Sequence, residues 1–245
     1  MKKQISEKTG LPPIIIGTIV FFAAIILLLI IVALTSDGGD KKETFDSTAS
    51  TVSTQSEPSE ISAVSQESVE TNLDMTKDYY ADIDIKDYGK ITFKMYPDIA
   101  PITVDNFVNL ANSGFYNGLT FHRIIKDFMM QGGDPEGNGN GGSGKEIIGE
   151  FTNNGHENNL SHKRGTVSMA RGSYSMDSAS SQFFIVHKDY PSLDGNYAAF
   201  GSVTEGMDIV DKICNDAKPT DNNGTIPADQ QPIINSITIR TVDKE

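Results

Sequence analysis

A long apolar segment near the amino terminus sets the organisation of this chain. Residues 14–34 read IIIGTIVFFAAIILLLIIVAL, about 20 residues without a charge, which is the length that spans a bilayer as a helix. Three lysines precede the segment and several acids follow it. Because positive charge stays on the cytoplasmic side, we expect residues 1–13 to be a short basic cytoplasmic segment and the chain from residue 35 onward to lie outside.

Two interpretations compete for residues 14–34. A secretory signal peptide would have a shorter apolar region and a cleavage site of small residues, and the exit VALTSDGG offers a poor site. A lipoprotein signal would need a cysteine directly after the apolar run, but the single cysteine is Cys214. We therefore expect an uncleaved transmembrane signal anchor, and hence a single-pass protein of the cell membrane with its globular part extracytoplasmic.

The chain beyond the apolar segment changes composition once more. Residues 35–77 are rich in Ser, Thr and Glu and poor in large apolar residues, so we expect a disordered linker that spaces a domain from the membrane. Residues 78–245 are long enough for a single hydrophobic core. The net charge of −13 argues against a nucleic-acid partner, which would require a basic face. One cysteine excludes a disulfide within the chain.

Short alternating runs in residues 78–245 predict a mainly β domain. Residues 80–86 and 90–96 flank a turn containing Gly89 and predict a hairpin. The other predicted strands are 120–125, 166–170, 182–186, 198–203 and 234–241.

Apolar residues at helical spacing predict two helices. The first is expected to begin at Thr103 and to end at Gly114, and the second to cover residues 207–214. Many short strands with only two helices favour an antiparallel barrel or sandwich over a parallel α/β sheet. The glycine- and asparagine-rich residues 132–163 are expected to form ordered surface loops.

Motifs for nucleotides, metals and nucleophilic catalysis are absent from the sequence. Gly139, Gly144 and Lys145 have the spacing of a phosphate-binding loop, but Glu146 stands where a hydroxyl residue would hold magnesium. No G-x-S-x-G elbow is present. The four histidines lack zinc-site spacing, so structural or solvated roles are expected for each of them, and we expect neither metal nor cofactor. They are His122, His156, His162 and His187.

The stretch FHRIIKDFMMQGGDP, residues 121–135, places Arg123 in a run that is otherwise mostly apolar up to its glycines. Strand alternation alone would put this arginine on the solvent-exposed face of a strand. The alternative is that a hydrogen-bond donor and an apolar floor share one pocket. GTVSMARG and SQFFIVHKDYPSLDG, each taken alone, would be interpreted as core strands.

Taken together, these stretches resemble the cyclophilins, which are barrel-fold peptidyl-prolyl cis-trans isomerases. The matching blocks span nearly all of residues 79–240 and are SGFYNGLTFHRIIKDFMMQGGDP, GEF, GTVSMA, SASSQFFI, LDGNYAAFG and VTEGMDIV. The resemblance implies a closed eight-stranded antiparallel β-barrel capped by two α-helices. It does not extend to residues 1–77.

The resemblance also implies a set of site residues. It places the catalytic arginine at Arg123 and its neighbouring glutamine at Gln131. The implied substrate-binding positions are Phe128, Met129, Ala170, Arg171, Phe184, Ser192, Leu193 and Tyr197. Phe128, Met129, Phe184 and Leu193 correspond to the apolar proline pocket. Ala170 and the main chain of Arg171 correspond to the strand that pairs with the bound peptide.

Three features depart from the family pattern. Ser192 stands where cyclosporin-sensitive members have tryptophan, and Tyr197 stands where many members have histidine. The segment 172–181 is about two residues longer than in the commonest eukaryotic form. We therefore expect a reshaped pocket rim and weak cyclosporin binding.

The first hypothesis is a membrane-tethered isomerase that acts on X-Pro peptides and assists folding of unfolded exported proteins. The second is a proline-peptide binding module or chaperone with little turnover. A surface adhesin is a third, supported only by the linker. The layout is typical of a Gram-positive bacterial protein. The N-glycosylation sequons at Asn159 and Asn223 are also compatible with a protein of a eukaryotic secretory compartment.

Overall fold

The structure is a computed structural model that describes residues 71–244. The predicted segments 1–13 and 14–34, and most of the predicted linker 35–77, lie outside the described residues. Between residues 71 and 244, no helix has the length and apolar character needed to cross a membrane.

Eight strands form one antiparallel sheet, and two helices accompany it, as the resemblance to the cyclophilins implies. The strands are β1 (Lys77–Ile85), β2 (Gly89–Met95), β3 (Arg123–Ile125), β4 (Met129–Gly132), β5 (Thr166–Met169), β6 (Phe183–Val186), β7 (Ala199–Glu205) and β8 (Ile234–Asp243). The helices are α1 (Pro101–Asn112) and α2 (Met207–Asp216). In the sheet the strand order is β3-β4-β6-β5-β7-β2-β1-β8.

The two end strands, β3 and β8, form no ladder with each other, so the predicted closure of the barrel by strand pairing is wrong for the described residues. Isolated bridges cross the gap instead, joining Thr120 to Ile233 and Arg123 to Thr225. The chain before β8 contains Pro227 and Pro232. Because proline has no N–H to donate, this segment cannot continue a regular ladder.

Strand β4 was missing from the sequence prediction, and the predicted strand 120–125 is shortened to β3. The two form a tight hairpin, with Arg123 opposite Gln131 and Ile125 opposite Met129. Asp127 makes the turn with φ of +61°, a conformation that aspartate tolerates better than most residues. No glycine or asparagine marks this turn in the sequence, which explains why the hairpin was missed.

The core is built around Phe107 of α1. Its ring lies 5.5 Å from that of Phe93, 5.1 Å from that of Tyr116, 5.4 Å from that of Phe183 and 5.3 Å from that of Phe200. The four partner rings come from the three strands β2, β6 and β7 and from the loop after α1, so the Phe107 side chain connects distant parts of the chain. Such aromatic contacts add stabilisation beyond the apolar area that they bury.

Helix α1 begins two residues earlier than predicted, because its cap comes from a distant loop. Ala100 at the N-cap offers no side-chain acceptor. The Glu150 carboxylate, only 3% exposed, instead accepts hydrogen bonds from the backbone N–H groups of Ile102 at 3.0 Å and Thr103 at 2.7 Å. Thr103 Oγ1 donates a further bond to it at 2.7 Å. A negative charge at a helix N-terminus is also favoured by the helix dipole.

Apart from Gly132, which ends β4, residues 132–163 contain no strand and only a short 3₁₀ helix, Thr152–Asn154, as expected for loops. They are not confined to the surface, however, since Phe151 and Glu150 are buried. Asn158 is buried as well and donates hydrogen bonds to the carbonyls of Glu150 and Ala199. Part of this segment is therefore core rather than surface loop.

Removing the Glu150 carboxylate should destabilise the domain markedly. We expect Glu150→Ala to lower the free energy of unfolding by about 3 kcal/mol, because two backbone donors and one hydroxyl lose their acceptor in a buried place. Denaturant unfolding followed by circular dichroism measures this change. The matched control is Glu157→Ala, which removes an exposed acid of the same loop and should change stability by less than about 0.5 kcal/mol. Equal effects of the two substitutions would contradict the capping role.

Candidate functional site

A second, smaller apolar cluster lies on the opposite face of strands β4 and β6 from the core. Successive side chains of a strand point to opposite faces. Met130 and Phe183 accordingly belong to the main core, whereas their neighbours Met129 and Phe184 pack together with Val186 in the second cluster. The partly buried side chains packed against this cluster are Ile125, Phe128, Ala170, Leu193 and Tyr197.

This second cluster forms the floor of a cavity of about 120 Å³. The lining residues are Arg123, Phe128, Met129, Gln131, Ala170, Arg171, Phe184, Leu193 and Tyr197. The structure thus brings together every predicted site residue except Ser192.

Arg123 is held above this floor by neutral partners. Its Nε–H donates to the carbonyl of Asn223 at 2.8 Å, and Nη1 donates to Gln131 Oε1 at 3.1 Å. Nη1 also lies 3.8 Å from the sulfur of Met129. No carboxylate within residues 71–244 forms an ion pair with this guanidinium, and its Nη2 has no hydrogen-bond partner among the same residues. The cation therefore keeps free donors beside an apolar surface.

Burial lowers the pKa of the Arg123 guanidinium from its ordinary value, and the nearby Tyr197 and Asp221 act in the opposite direction. The group stays charged at neutral pH, because arginine is not deprotonated in proteins. Its carbon lies 5.9 Å from the centre of the Phe128 ring, so the ring face also contacts the cation. A fixed positive charge with low water access results.

The side-chain amide of Gln131 has a defined orientation. Its Oε1 accepts from Arg123, and its Nε2 donates to Gln182 Oε1 at 2.8 Å. Gln182 in turn donates to the carbonyls of Gly139 and Gly141 at 3.1 and 2.8 Å. Sequence reasoning missed Gln182 as a supporting residue, although it stands two positions before Phe184 in SQFFI.

Arg171 contributes its side chain as well as the predicted main chain. The guanidinium carbon lies 5.3 Å from the centre of the Phe151 ring and 5.1 Å from that of Tyr197. It donates to the carbonyls of Asn196 at 2.9 Å, of Gly172 at 3.2 Å and of Ser175 at 3.3 Å. One side chain thus joins three loops at the rim of the cavity, which its sequence context did not indicate.

Ser192 is the one predicted position that the structure places elsewhere. It is exposed in the 3₁₀ helix Pro191–Leu193 and lines neither cavity described here. This turn directs Leu193 toward the floor instead. Tyr190, just before the turn, packs on Phe128 with ring centres 4.4 Å apart and is 42% exposed. At this part of the rim the side chain next to the cavity floor is therefore Tyr190 and not Ser192. The sequence analysis did not single out Tyr190.

A larger cavity of about 310 Å³, lined mostly by glycines and polar residues, adjoins the first. The two cavities share Gln131, Ala170 and Arg171. Tyr174, 76% exposed, stands on its rim and hydrogen-bonds to Glu146 through its hydroxyl. This region contains the segment 172–181 that is longer than in the commonest eukaryotic form. Within residues 71–244, no group of three or more His, Cys, Asp or Glu residues is arranged to hold a metal ion.

Comparisons with known proteins agree with this geometry. The family model for cyclophilin type peptidyl-prolyl cis-trans isomerases matches residues 80–243. Peptidyl-prolyl cis-trans isomerase B of Bacillus subtilis is 47% identical over 131 residues, which is 54% of this chain and 87% of that protein. A peptidyl-prolyl cis-trans isomerase of Helicobacter pylori is 46% identical over 127 residues, covering 51% of this chain and 74% of that protein.

A solved structure has the same fold. The cyclophilin type peptidyl-prolyl cis-trans isomerase of Cryptosporidium parvum, crystallised in the presence of the dipeptide Ala-Pro, superposes with a TM-score of 0.58 at 31% identity. The match covers 66% of this chain and 98% of the other.

Replacing Arg171 by lysine should loosen the rim of the first cavity. A lysine cannot stack between Phe151 and Tyr197 while donating to several carbonyls, so we expect a loss of about 1 to 2 kcal/mol in the free energy of unfolding. The side-chain resonances of Tyr197 in NMR spectra should also shift. Arg240→Lys is the matched control, because Arg240 also lies over a ring, that of Tyr80, but on the outer edge of the sheet. If both variants left the Tyr197 resonances unchanged, the bridging role of Arg171 would be wrong.

Proposed function

Because this chain belongs to the cyclophilin-type peptidyl-prolyl cis-trans isomerases and is an enzyme of that class, we propose that the cavity beside Arg123 is where X-Pro bonds rotate. The observation that supports this most is the state of Arg123. It is anchored through Nε and Nη1, its Nη2 is free of partners among the described residues, and an apolar floor lies beneath it.

Rotation about an X-Pro bond requires no nucleophile, because no bond breaks. The barrier of about 20 kcal/mol arises from amide resonance, and uncatalysed rotation takes tens of seconds or more. When the bond twists, resonance is lost and the proline nitrogen regains a lone pair. The enzyme has only to bind this twisted amide more tightly than either planar form.

Arg123 is suited to donate a hydrogen bond to that nitrogen. Its charge is permanent and its position is fixed before substrate arrives, and the apolar floor would strengthen the interaction by excluding water. A millionfold acceleration requires about 8 kcal/mol of differential stabilisation. One charge-assisted hydrogen bond contributes about 1.5 to 3 kcal/mol of it.

Anchoring of the proline ring supplies the remainder in this proposal. Phe128, Met129, Phe184 and Leu193 would hold the ring while the preceding carbonyl turns, which converts binding energy into orientation. Gln131 would act on Arg123, since its amide is held by Gln182 and accepts from Nη1. The main chain at Ala170 and Arg171 borders the same cavity and would pair with the peptide backbone.

Loss of the Arg123 guanidinium should remove most of the activity. We expect Arg123→Ala in the full-length chain to lower kcat/KM for a short Ala-Pro peptide by about 100-fold. Exchange spectroscopy on the bound peptide measures rotation and binding together. Arg240→Ala, which removes an exposed arginine, is the control and should leave activity unchanged. Full activity of Arg123→Ala would overturn the mechanism, and peptide binding without accelerated exchange in the unmodified protein would favour a binding module.

Cyclosporin should bind this protein weakly. Cyclosporin-sensitive cyclophilins have a tryptophan at the position of Ser192. Here the residue is an exposed serine, so the contact surface that an indole ring would offer to cyclosporin is absent at this position. We expect Ser192→Trp to tighten cyclosporin binding about tenfold, since tryptophans are frequent centres of binding energy. Isothermal titration measures the affinity, with Ser113→Trp as a control that adds the same side chain at an exposed site on the far end of α1. Nanomolar binding by the unmodified protein would contradict the expectation.

We further propose that the enzyme is a membrane-anchored bacterial form that assists folding of exported proteins. The apolar residues 14–34, the lysines before them and the linker 35–77 support this proposal. In bacterial cells the full-length chain should remain in the membrane fraction after a carbonate wash, and protease added to protoplasts should digest the domain. A variant lacking residues 14–34 should lose the membrane association. Protection of the domain from protease in intact protoplasts would contradict the predicted orientation.

A further inference from the structure

Behind the apolar wall of the first cavity, two buried side chains, His162 and Ser168, form a hydrogen-bonded series with the exposed Asp194. His162 Nδ1 lies 2.8 Å from Asp194 Oδ1, and His162 Nε2 lies 3.0 Å from Ser168 Oγ. The His162 side chain is 1% exposed, and Ser168 is 0% exposed. Both ring nitrogens are therefore occupied, in a histidine for which sequence spacing had suggested no specific partner.

The hydrogen bonds determine the tautomer of His162. The Asp194 carboxylate can only accept, so Nδ1 carries the proton and donates to it. Nε2 then accepts from the hydroxyl of Ser168. Burial lowers the pKa of His162, with the Asp194 hydrogen bond acting in the opposite direction, so the ring is neutral at neutral pH. His162 thus has one orientation and one tautomer.

Serine, histidine and aspartate also form hydrolytic triads, but these three side chains cannot act as a triad. The Ser168 side chain is fully buried within strand β5, so no substrate carbonyl can reach it. The three hydrogen-bonded side chains therefore have a structural role, which depends on what His162 and Asp194 contact.

His162 contacts the wall of the cavity from behind. Its ring stacks on Phe184 with centres 5.9 Å apart and an interplanar angle of 18°. It also meets Tyr197 edge-on at 6.5 Å. Two of the residues that line the cavity are thus supported by the same ring.

His162 also ties down both ends of the turn that carries Leu193. The backbone N–H of Tyr190, at the start of the turn, donates to the carbonyl of His162 at 2.8 Å. At the other end, Asp194 accepts from the backbone N–H of His162 at 2.7 Å in addition to its ring. Ser161 Oγ donates to the second oxygen of Asp194 at 2.7 Å. Four hydrogen bonds thus hold the turn that carries Leu193, and one of them, between Nδ1 and Asp194, is made by the His162 side chain.

We propose that His162 is a positioning residue for the proline-binding wall, acting through Asp194 on the turn that carries Leu193 and through its ring on Phe184. It touches no substrate. The inference rests on the proposed function of the cavity, and it distinguishes two groups of residues there. Arg123 acts on the twisted amide and so on kcat. Loss of the bond between His162 and Asp194 removes none of the side chains that anchor the ring but holds their wall less firmly, so planar and twisted forms are bound less tightly alike and KM rises while kcat is kept.

Two substitutions separate the bond to Asp194 from the bond to Ser168. The amide nitrogen of asparagine occupies the place of Nδ1, so His162→Asn can still donate to Asp194. The longer glutamine places its amide near Nε2, so His162→Gln can reach Ser168 but not Asp194. Both variants lose the stacked ring, which makes them matched in that respect.

The assay uses the full-length chain and an Ala-Pro peptide. We expect the KM of His162→Gln to be about fivefold higher than that of His162→Asn, because only the glutamine variant loses the charge-assisted hydrogen bond to Asp194. The kcat values of the two variants should agree within about twofold. Asp194→Ala should raise KM similarly, and Asp194→Asn, which keeps an acceptor oxygen, should restore it. His156→Gln, a histidine substitution six residues upstream in the same loop region, is the control and should leave KM unchanged.

Equal KM values for His162→Asn and His162→Gln would overturn the proposal. So would a fall in kcat with KM unchanged, because that pattern reports a smaller folded fraction rather than a reshaped binding surface. Peptide dissociation constants, obtained by NMR titration, make the same comparison independently of turnover. An unmodified protein that binds the peptide without isomerising it would refute the proposed activity, while the dissociation constants of the variants would still decide the role of His162.

Discussion

The alternation of side chains along strands β4 and β6 is the constraint on which the site depends. Met130 and Phe183 must face the core packed around Phe107, and their neighbours Met129 and Phe184 are then obliged to face the opposite side. Burying one face of these strands thus creates an apolar patch on the other. A shift of one residue in register would exchange the two sets and destroy core and cavity together.

Placing a cation beside an apolar patch is unfavourable unless its donors find partners. Here Arg123 is held by a backbone carbonyl of Asn223 and by the amide of Gln131, both neutral. A carboxylate partner would compensate the charge and reduce the field that a developing lone pair would experience. The neutral partners keep the guanidinium in place without cancelling its charge, which agrees with the mechanism proposed for this enzyme.

The support of the site extends well beyond the residues that line it. Gln182 orients Gln131 from the next strand of the sheet, Arg171 joins three loops at the rim, and His162 backs the wall. Each of these side chains makes at least two hydrogen bonds inside the protein, so the cavity is defined before any peptide arrives. Such preorganisation is what allows weak individual contacts to discriminate between a planar and a twisted amide.

Strand alternation and turn patterns were enough to predict the mainly β fold and most of its elements, and the family resemblance of the FHRII, SQFFI and LDG blocks predicted nearly all residues of the cavity. The folded structure added three features that no pattern had predicted, namely the β3–β4 hairpin with its turn at Asp127, the gap between β3 and β8, and the capping of α1 by Glu150. It also decided that Ser192 lies outside the cavity and that Ser168, His162 and Asp194 meet. These features join residues far apart in the chain, and no local pattern specifies which side chains will meet once a sheet has curved.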